Sequence, residues 1–113
     1  MEQGKEAESN SKQYDLKVIL SVTTEHLLTD MGSIYAILNY LTGEPIYTHQ
    51  IPMVMRASSR HILKTYPKLS EAVLEDGQIK DTEDVEKFVA KHKTKYGTCL
   101  PLTPMARDWY KSL

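Results

Sequence analysis

The chain has 113 residues, of which 41% are apolar and 26% charged, and this composition excludes the collagen-like, low-complexity and membrane classes. Its length allows one domain: we expect a disordered leader over residues 1–13, which are polar after Met1, and one globular domain over 14–113. The net charge of −1 does not draw the whole molecule to nucleic acid, and Cys99, the single cysteine, excludes an internal disulfide, so we expect a cytoplasmic protein.

The first apolar segment, over residues 16–23, permits two structures. It is short and rich in β-branched residues, as a buried strand is. Its apolar residues also recur at helical spacing, and Asp15 could cap a helix. We favour a short helix that ends near Thr23.

Three signals predict a second helix that ends at Thr42. Asp30 is a good N-cap, and Gly43 stands where a left-handed C-terminal residue is needed. Between them one face is apolar, with Ile34, Ile37, Leu38 and Leu41. After this helix we expect an extended segment over 46–51, ended by Pro52.

Pro52 suits the first turn of a third helix, which Pro67 would stop after Tyr66. Residues 52–68 hold five basic side chains and no acidic one. The basic residues are Arg56, Arg60, His61, Lys64 and Lys68. The segment 71–86 has the opposite sign, with seven acidic residues against one lysine.

A fourth helix is predicted from Asp81 or Thr82 to Gly97, with acidic residues at its start and basic residues at its end, as the helix dipole favours. The tail suggests an extended piece over 98–102 and a closing helical turn over 106–110 that docks Trp109. We therefore predict a mainly α fold, with α+β possible: a small domain of three to four helices with minor β elements near 46–51 and 98–102.

The spacing of the chemical residues argues against catalysis and metal binding. The four histidines, His26, His49, His61 and His92, do not have metal-ligand spacing. Cys99 is expected to be a small core residue, and the five glycines stand singly, so there is no phosphate-binding loop. We expect no enzyme, no metal and no cofactor; His49 is the one candidate general base.

Two polar clusters and the basic helix remain as candidate sites. The first cluster is 21–26 and the second is Thr48-His49-Gln50, between apolar neighbours. Each could be a buried hydrogen-bond network or a ligand or partner site. The basic side chains could be solvated, could pair with the acidic segment 71–86, or could bind an external anionic partner.

Four strings resemble a group of small uncharacterised phage and prophage proteins with the patterns LSVTTGRLL, LNxMTG and THQLPRA. The strings are Leu20-Ser21-Val22-Thr23-Thr24, Leu27-Leu28-Thr29-Asp30-Met31-Gly32, Ile37-Leu38-Asn39-Tyr40-Leu41-Thr42-Gly43 and Thr48-His49-Gln50-Ile51-Pro52. The resemblance covers about residues 15–70. There are two departures from it: Glu25 stands where the pattern has Gly, and Met53-Val54 where it has Arg-Ala.

The resemblance implies a setting, the cytoplasm of a bacterial host cell, and not a reaction, because the group has no assigned enzymology. Small phage proteins often bind host machinery, so we expect a non-enzymatic inhibitor of a host protein, nucleoprotein or defence complex, of the anti-CRISPR kind or another counter-defence role. The alternatives are a binder of a small molecule or nucleotide signal and a nucleic-acid-binding regulator; homodimerisation is open, and no membrane partner is expected. The candidate site residues are Thr23, Thr24, Asn39, Thr48, His49, Gln50, Arg56, Arg60 and Lys64.

Overall fold

The structure, a computed structural model, describes residues 11–75 and 77–105. In chain order its elements are β1 (Lys12–Asp15), α1 (Leu16–Thr23), α2 (Met31–Thr42), α3 (Ile51–Thr65), α4 (Thr82–Tyr96) and β2 (Cys99–Leu102). Two short 3-10 helices, Thr48–Gln50 and Pro67–Glu71, precede and follow α3. Four helices with a small two-stranded antiparallel sheet, within the described residues, confirm the predicted mainly helical fold.

The segment after Asp15 is a helix, as favoured over a strand. The Asp15 side chain accepts a hydrogen bond of 2.8 Å from the backbone N–H of Lys17 and so caps α1. Leu16, Ile19 and Leu20 are fully buried. Because α1 packs against α2, α3 and α4, it forms the centre of the core.

The helix boundaries follow the predicted caps. Asp30 accepts from the N–H of Ser33 at 2.8 Å, and Gly43 ends α2 with φ +76°, a left-handed conformation that glycine adopts without strain. Asp81 caps α4 by accepting from Asp84 at 2.9 Å. α3 runs from Ile51 to Thr65, one residue before the predicted range at each end.

The expected extended segment over 46–51 is wrong. Thr48–Gln50 forms a 3-10 helix and Ile51 already begins α3. The Gln50 side chain accepts a hydrogen bond of 2.8 Å from the N–H of Tyr47, so this segment closes its own turn instead of offering its backbone to a strand.

The predicted β element near 98–102 is confirmed, but its partner is β1. The strands pair antiparallel, with Lys12 opposite Leu102 and Asp15 opposite Cys99. The expected leader therefore extends too far, because Lys12 and Gln13 are ordered by backbone pairing that their polar side chains do not reveal; residues 1–10 lie outside the described part of the chain.

The sequence also led to expectations about Cys99 and about a closing helical turn near the end of the chain. The prediction that Cys99 is a small core residue is wrong, since Cys99 is exposed. It lies in a strand of a two-stranded sheet, where a side chain can face solvent. The closing helical turn over 106–110, with Trp109, lies outside the described residues.

Candidate functional site

The outward face of α3 carries three of the candidate site residues. Arg56, Arg60 and Lys64 follow one another at intervals of four residues, which turns each side chain only about 40° from the last. All three are exposed, while Val54 and Ile62 on the opposite face are fully buried. The three cations thus form one stripe that extends about 12 Å along the helix.

The cations of this stripe have no carboxylate partner among the residues 11–75 and 77–105. The ion pairs in that part of the chain join Lys87 to Glu83 at 3.5 Å, Lys93 to Asp15 at 3.3 Å and Lys95 to Glu71. The described acidic residues, including those of the 71–86 segment, therefore do not neutralise the stripe.

Glu71, the first residue of the acidic segment, instead pairs with Lys95 near the end of α4. A hydrogen bond from Lys95, the largest cause, lowers the pKa of the Glu71 carboxyl below its ordinary value, and Lys68 adds a smaller effect. His61, on the flank of α3, donates from Nε2 to the carbonyl oxygen of Thr103 at 2.8 Å. Of the five basic residues predicted as one group, His61 and Lys68 thus interact with other residues of the fold, His61 with Thr103 and Lys68 with Glu71.

The Thr48-His49-Gln50 cluster lies at the entrance to α3. Thr48 and His49 are exposed, so the buried-network alternative is wrong for them. The Thr48 hydroxyl lies 2.8 Å from the hydroxyl of Tyr35, and the His49 ring stacks on Tyr47 with centroids 6.1 Å apart. This turn therefore presents an aromatic pair to solvent.

The turn and the basic stripe lie on the same side of the continuous helical segment 48–65. His49, Met53 and Arg56 are separated by four and three residues, the spacing of neighbours on a helix face. Met53 is 37% exposed and Tyr47 is 68% exposed. We call this face the α3 surface; it consists of Tyr47, His49, Met53, Arg56, Arg60 and Lys64.

Tyr47 and Met53 were not among the sequence-predicted site residues. Met53 could have been found, because it lies three residues before Arg56 on the polar face of the predicted helix. Tyr47 could not, because the segment containing it was expected to be extended.

The other cluster, at the end of α1, has a structural use. The hydroxyls of Thr23 and Thr24 both donate to the carbonyl oxygen of Leu20, at 3.4 and 2.6 Å. The Ser59 hydroxyl in α3 donates to the carbonyl oxygen of Thr23 at 3.2 Å. These bonds end α1 and attach it to α3, so the polar atoms are engaged within the fold.

Ser21 and Glu25 complete this exit from α1. The fully buried Ser21 hydroxyl donates to the Lys17 carbonyl at 2.9 Å and accepts from the Leu28 N–H at 3.1 Å. Glu25 has φ +57°, the left-handed region that favours glycine. The Gly of the resembling pattern at this position therefore has a backbone explanation that needs no ligand.

Asn39 also acts within the fold. Its Oδ1 accepts a hydrogen bond of 3.1 Å from the N–H of Ile46, and its carbonyl oxygen accepts from Gly43 at 2.8 Å. Both bonds hold the loop after α2 against the helix. Of the nine predicted site residues, the α3 surface unites His49, Arg56, Arg60 and Lys64; Thr48 and Gln50 shape the turn beneath it.

The described residues contain no group of three or more His, Cys, Asp or Glu side chains that could hold a metal ion. Within the same part of the chain, no helix is both long enough and apolar enough to cross a bilayer.

Comparison with protein families identifies the family of this mainly helical domain. The family model called Domain of unknown function (DUF7736) matches residues 14–72, just over half of the chain, and the chain belongs to this family. This confirms the expected membership in an uncharacterised family. Comparison with curated proteins and with solved structures finds no significant match. The matched residues include the whole α3 surface and leave out α4 and β2.

Proposed function

We propose that the chain is a phage or prophage accessory protein that binds and blocks a host protein or defence complex, without catalysing a reaction. The observation that supports this is the α3 surface, where three cations without a carboxylate partner among the described residues continue an exposed aromatic and methionine patch. The site of action is the cytoplasm of the bacterial host.

The composition of the α3 surface favours a protein partner. Arginine, tyrosine and methionine are enriched in protein interfaces, and arginine and tyrosine supply much of the binding energy. Arg56 and Arg60 match acidic side chains, while Tyr47 and Met53 offer apolar area. The partner is therefore a protein with an acidic rim around an apolar spot.

A nucleic acid is the second candidate, supported by the exposed Tyr47–His49 ring pair. Proteins bind single strands without sequence preference by stacking bases on aromatic side chains next to cations, and Tyr47 and His49 are exposed aromatic rings near the basic stripe. The salt dependence of the affinity distinguishes a nucleic acid from a protein partner. Each phosphate that the cations neutralise makes this dependence steeper.

The small-molecule alternative has less support at the predicted residues. Thr23 and Thr24 lie at the end of α1, whereas Thr48-His49-Gln50 lies at the start of α3. The hydroxyls of Thr23 and Thr24 both donate to the backbone carbonyl of Leu20. The arrangement of these residues therefore does not support a small-molecule site that they would form together.

Charge reversal on the α3 surface tests the proposal. The protein with Arg56→Glu and Arg60→Glu is compared with the wild type as bait in a lysate of the host bacterium, with and without nuclease. We expect a host protein retained at stoichiometric level by the wild type, nuclease-resistant, and lost at least tenfold from the double variant.

The matched control is Lys87→Glu with Lys91→Glu, which changes the net charge equally at the same four-residue spacing on exposed positions of α4. It should retain the partner. If both variants lose it equally, general charge is responsible and the α3 surface is not the site; if capture disappears with nuclease, the nucleic-acid candidate replaces the protein one.

A further inference from the structure

A cleft of about 350 Å³ lies where the end of α3 meets the ends of α4 and β2. Its walls come from Thr65, Tyr66, Pro67, Lys68, Leu69, Lys95, Tyr96 and Leu100. The volume is at the lower end of the range for small-molecule sites. None of the residues of the α3 surface lines it, so this cleft is a separate feature.

The two tyrosines of the cleft are held in place by their hydroxyls. Tyr66 donates to the carbonyl oxygen of Pro101 at 2.6 Å, and Tyr96 donates to that of Lys68 at 2.9 Å. The Tyr96 ring also stacks on His92 with centroids 6.0 Å apart. Burial raises the pKa of Tyr66 above its ordinary value, so its ring is an uncharged wall at neutral pH. The rings form a pre-organised apolar slot.

The rim of the slot carries more positive than negative charge among the described residues. Lys68 and Lys95 both line the cleft, and Glu71 is the carboxylate that both lysines influence. Lys95 is paired with Glu71, whereas no ion pair joins Lys68 to a described carboxylate. One further negative charge would balance the cluster.

We propose that this cleft binds a small organic monocarboxylate with a flat apolar body. The body lies against Tyr66, Pro67 and Tyr96, and the carboxylate pairs with Lys68. Glu71, which pairs with the lining residue Lys95, disfavours a second negative charge and so selects for a monoanion. The site is independent of the proposed partner surface.

A nitrogen-15 NMR titration tests the proposal with 3-phenylpropionate and its neutral amide as probes. We expect saturable shifts of the Leu69, Tyr96 and Leu100 amide signals at low-millimolar 3-phenylpropionate, and about threefold weaker binding of the amide, the size that an exposed ion pair supports. Equal affinities for the acid and the amide would overturn the assignment of the charge.

Two variants locate the site. Lys68→Gln should weaken 3-phenylpropionate about threefold and leave the amide unchanged, while the exposed control Lys91→Gln should alter neither. Thr65→Trp, at an exposed position of the wall, should fill the slot and weaken both probes more than fivefold. Shifts that do not saturate by 20 mM, or that survive Thr65→Trp unchanged, would overturn the site itself.

Discussion

The end of α1 and the α3 surface look alike in the sequence and differ in the folded chain. Both combine hydroxyl, imidazole and charged side chains next to apolar runs. At the end of α1 the hydroxyls of Ser21, Thr23 and Thr24 bond to nearby backbone. On the α3 surface, Arg56 and Arg60 project into solvent without a carboxylate partner in the described residues.

The difference follows from side-chain length and from position along the helix. A short hydroxyl in or just after the last turn of a helix reaches the carbonyl groups one turn back, so it is used locally. A long cation on the outward face cannot reach the backbone and stays hydrated. Short polar residues at a helix end therefore indicate hydrogen bonds within the fold. A stripe of cations along an outward helix face remains available to an external partner.

The largest expected effect is a difference in the free energy of unfolding between a variant in the core helix α1 and a variant on the α3 surface. Leu20→Ala should lower the free energy of unfolding by about 3 kcal/mol, because Leu20 is fully buried at the centre of the fold. Met53→Ala, at a site 37% exposed, should cost less than about 1 kcal/mol. Urea unfolding followed by circular dichroism measures both. Similar losses for the two variants would show that the α3 surface is part of the core.

The next effect tests the hydrogen bonds at the end of α1. Ser21→Ala should cost about 1–2 kcal/mol, because it leaves the buried N–H of Leu28 without its acceptor. Thr48→Ala, which removes an exposed bond to Tyr35, should cost less than about 0.5 kcal/mol. Thermal unfolding compares them; a Thr48 variant as unstable as the Ser21 variant would make both clusters structural.

Much of the fold could be predicted because its signals are local. Asp30 caps α2 and Gly43 ends it as expected, and Asp81, one of the two expected candidates, caps α4. The pairing of β1 with β2 could not be predicted, since it joins residues more than eighty positions apart and the side chains of Lys12 and Gln13 do not alternate in hydrophobicity.

The candidate site was predictable only in part. The spacing of Arg56, Arg60 and Lys64 on a predicted helix already places them on one face. The α3 surface as a whole depends on the 3-10 turn at Thr48–Gln50, which continues the helix and aligns His49 with the stripe. The cleft at Tyr66 and Tyr96 forms where segments that are distant in sequence meet, so no local sequence pattern predicts it.

A smaller effect concerns the strain at Glu25. Glu25→Gly should raise the free energy of unfolding by about 0.5–1 kcal/mol, because glycine adopts φ +57° without penalty. Glu25→Ala removes the same charge and keeps the Cβ, so it should not stabilise. Chemical unfolding of the three proteins decides; equal stabilisation by Gly and Ala would mean that the carboxylate, and not the backbone, is responsible.

The smallest effect concerns the ion pair of Glu71 with Lys95. Because the folded pKa of Glu71 is lowered, the pair contributes stability above the ordinary value of 4.5 and loses it as the pH falls through the lowered folded pKa. The melting temperature of Glu71→Gln should therefore lie slightly below that of the wild type at pH 7, and the gap should close on acidification. Glu75→Gln, at an exposed neighbouring site, is the control. A gap that stays constant down to pH 3 would mean that the hydrogen bonds of this side chain to Lys95 and Tyr96 matter by geometry and not by charge.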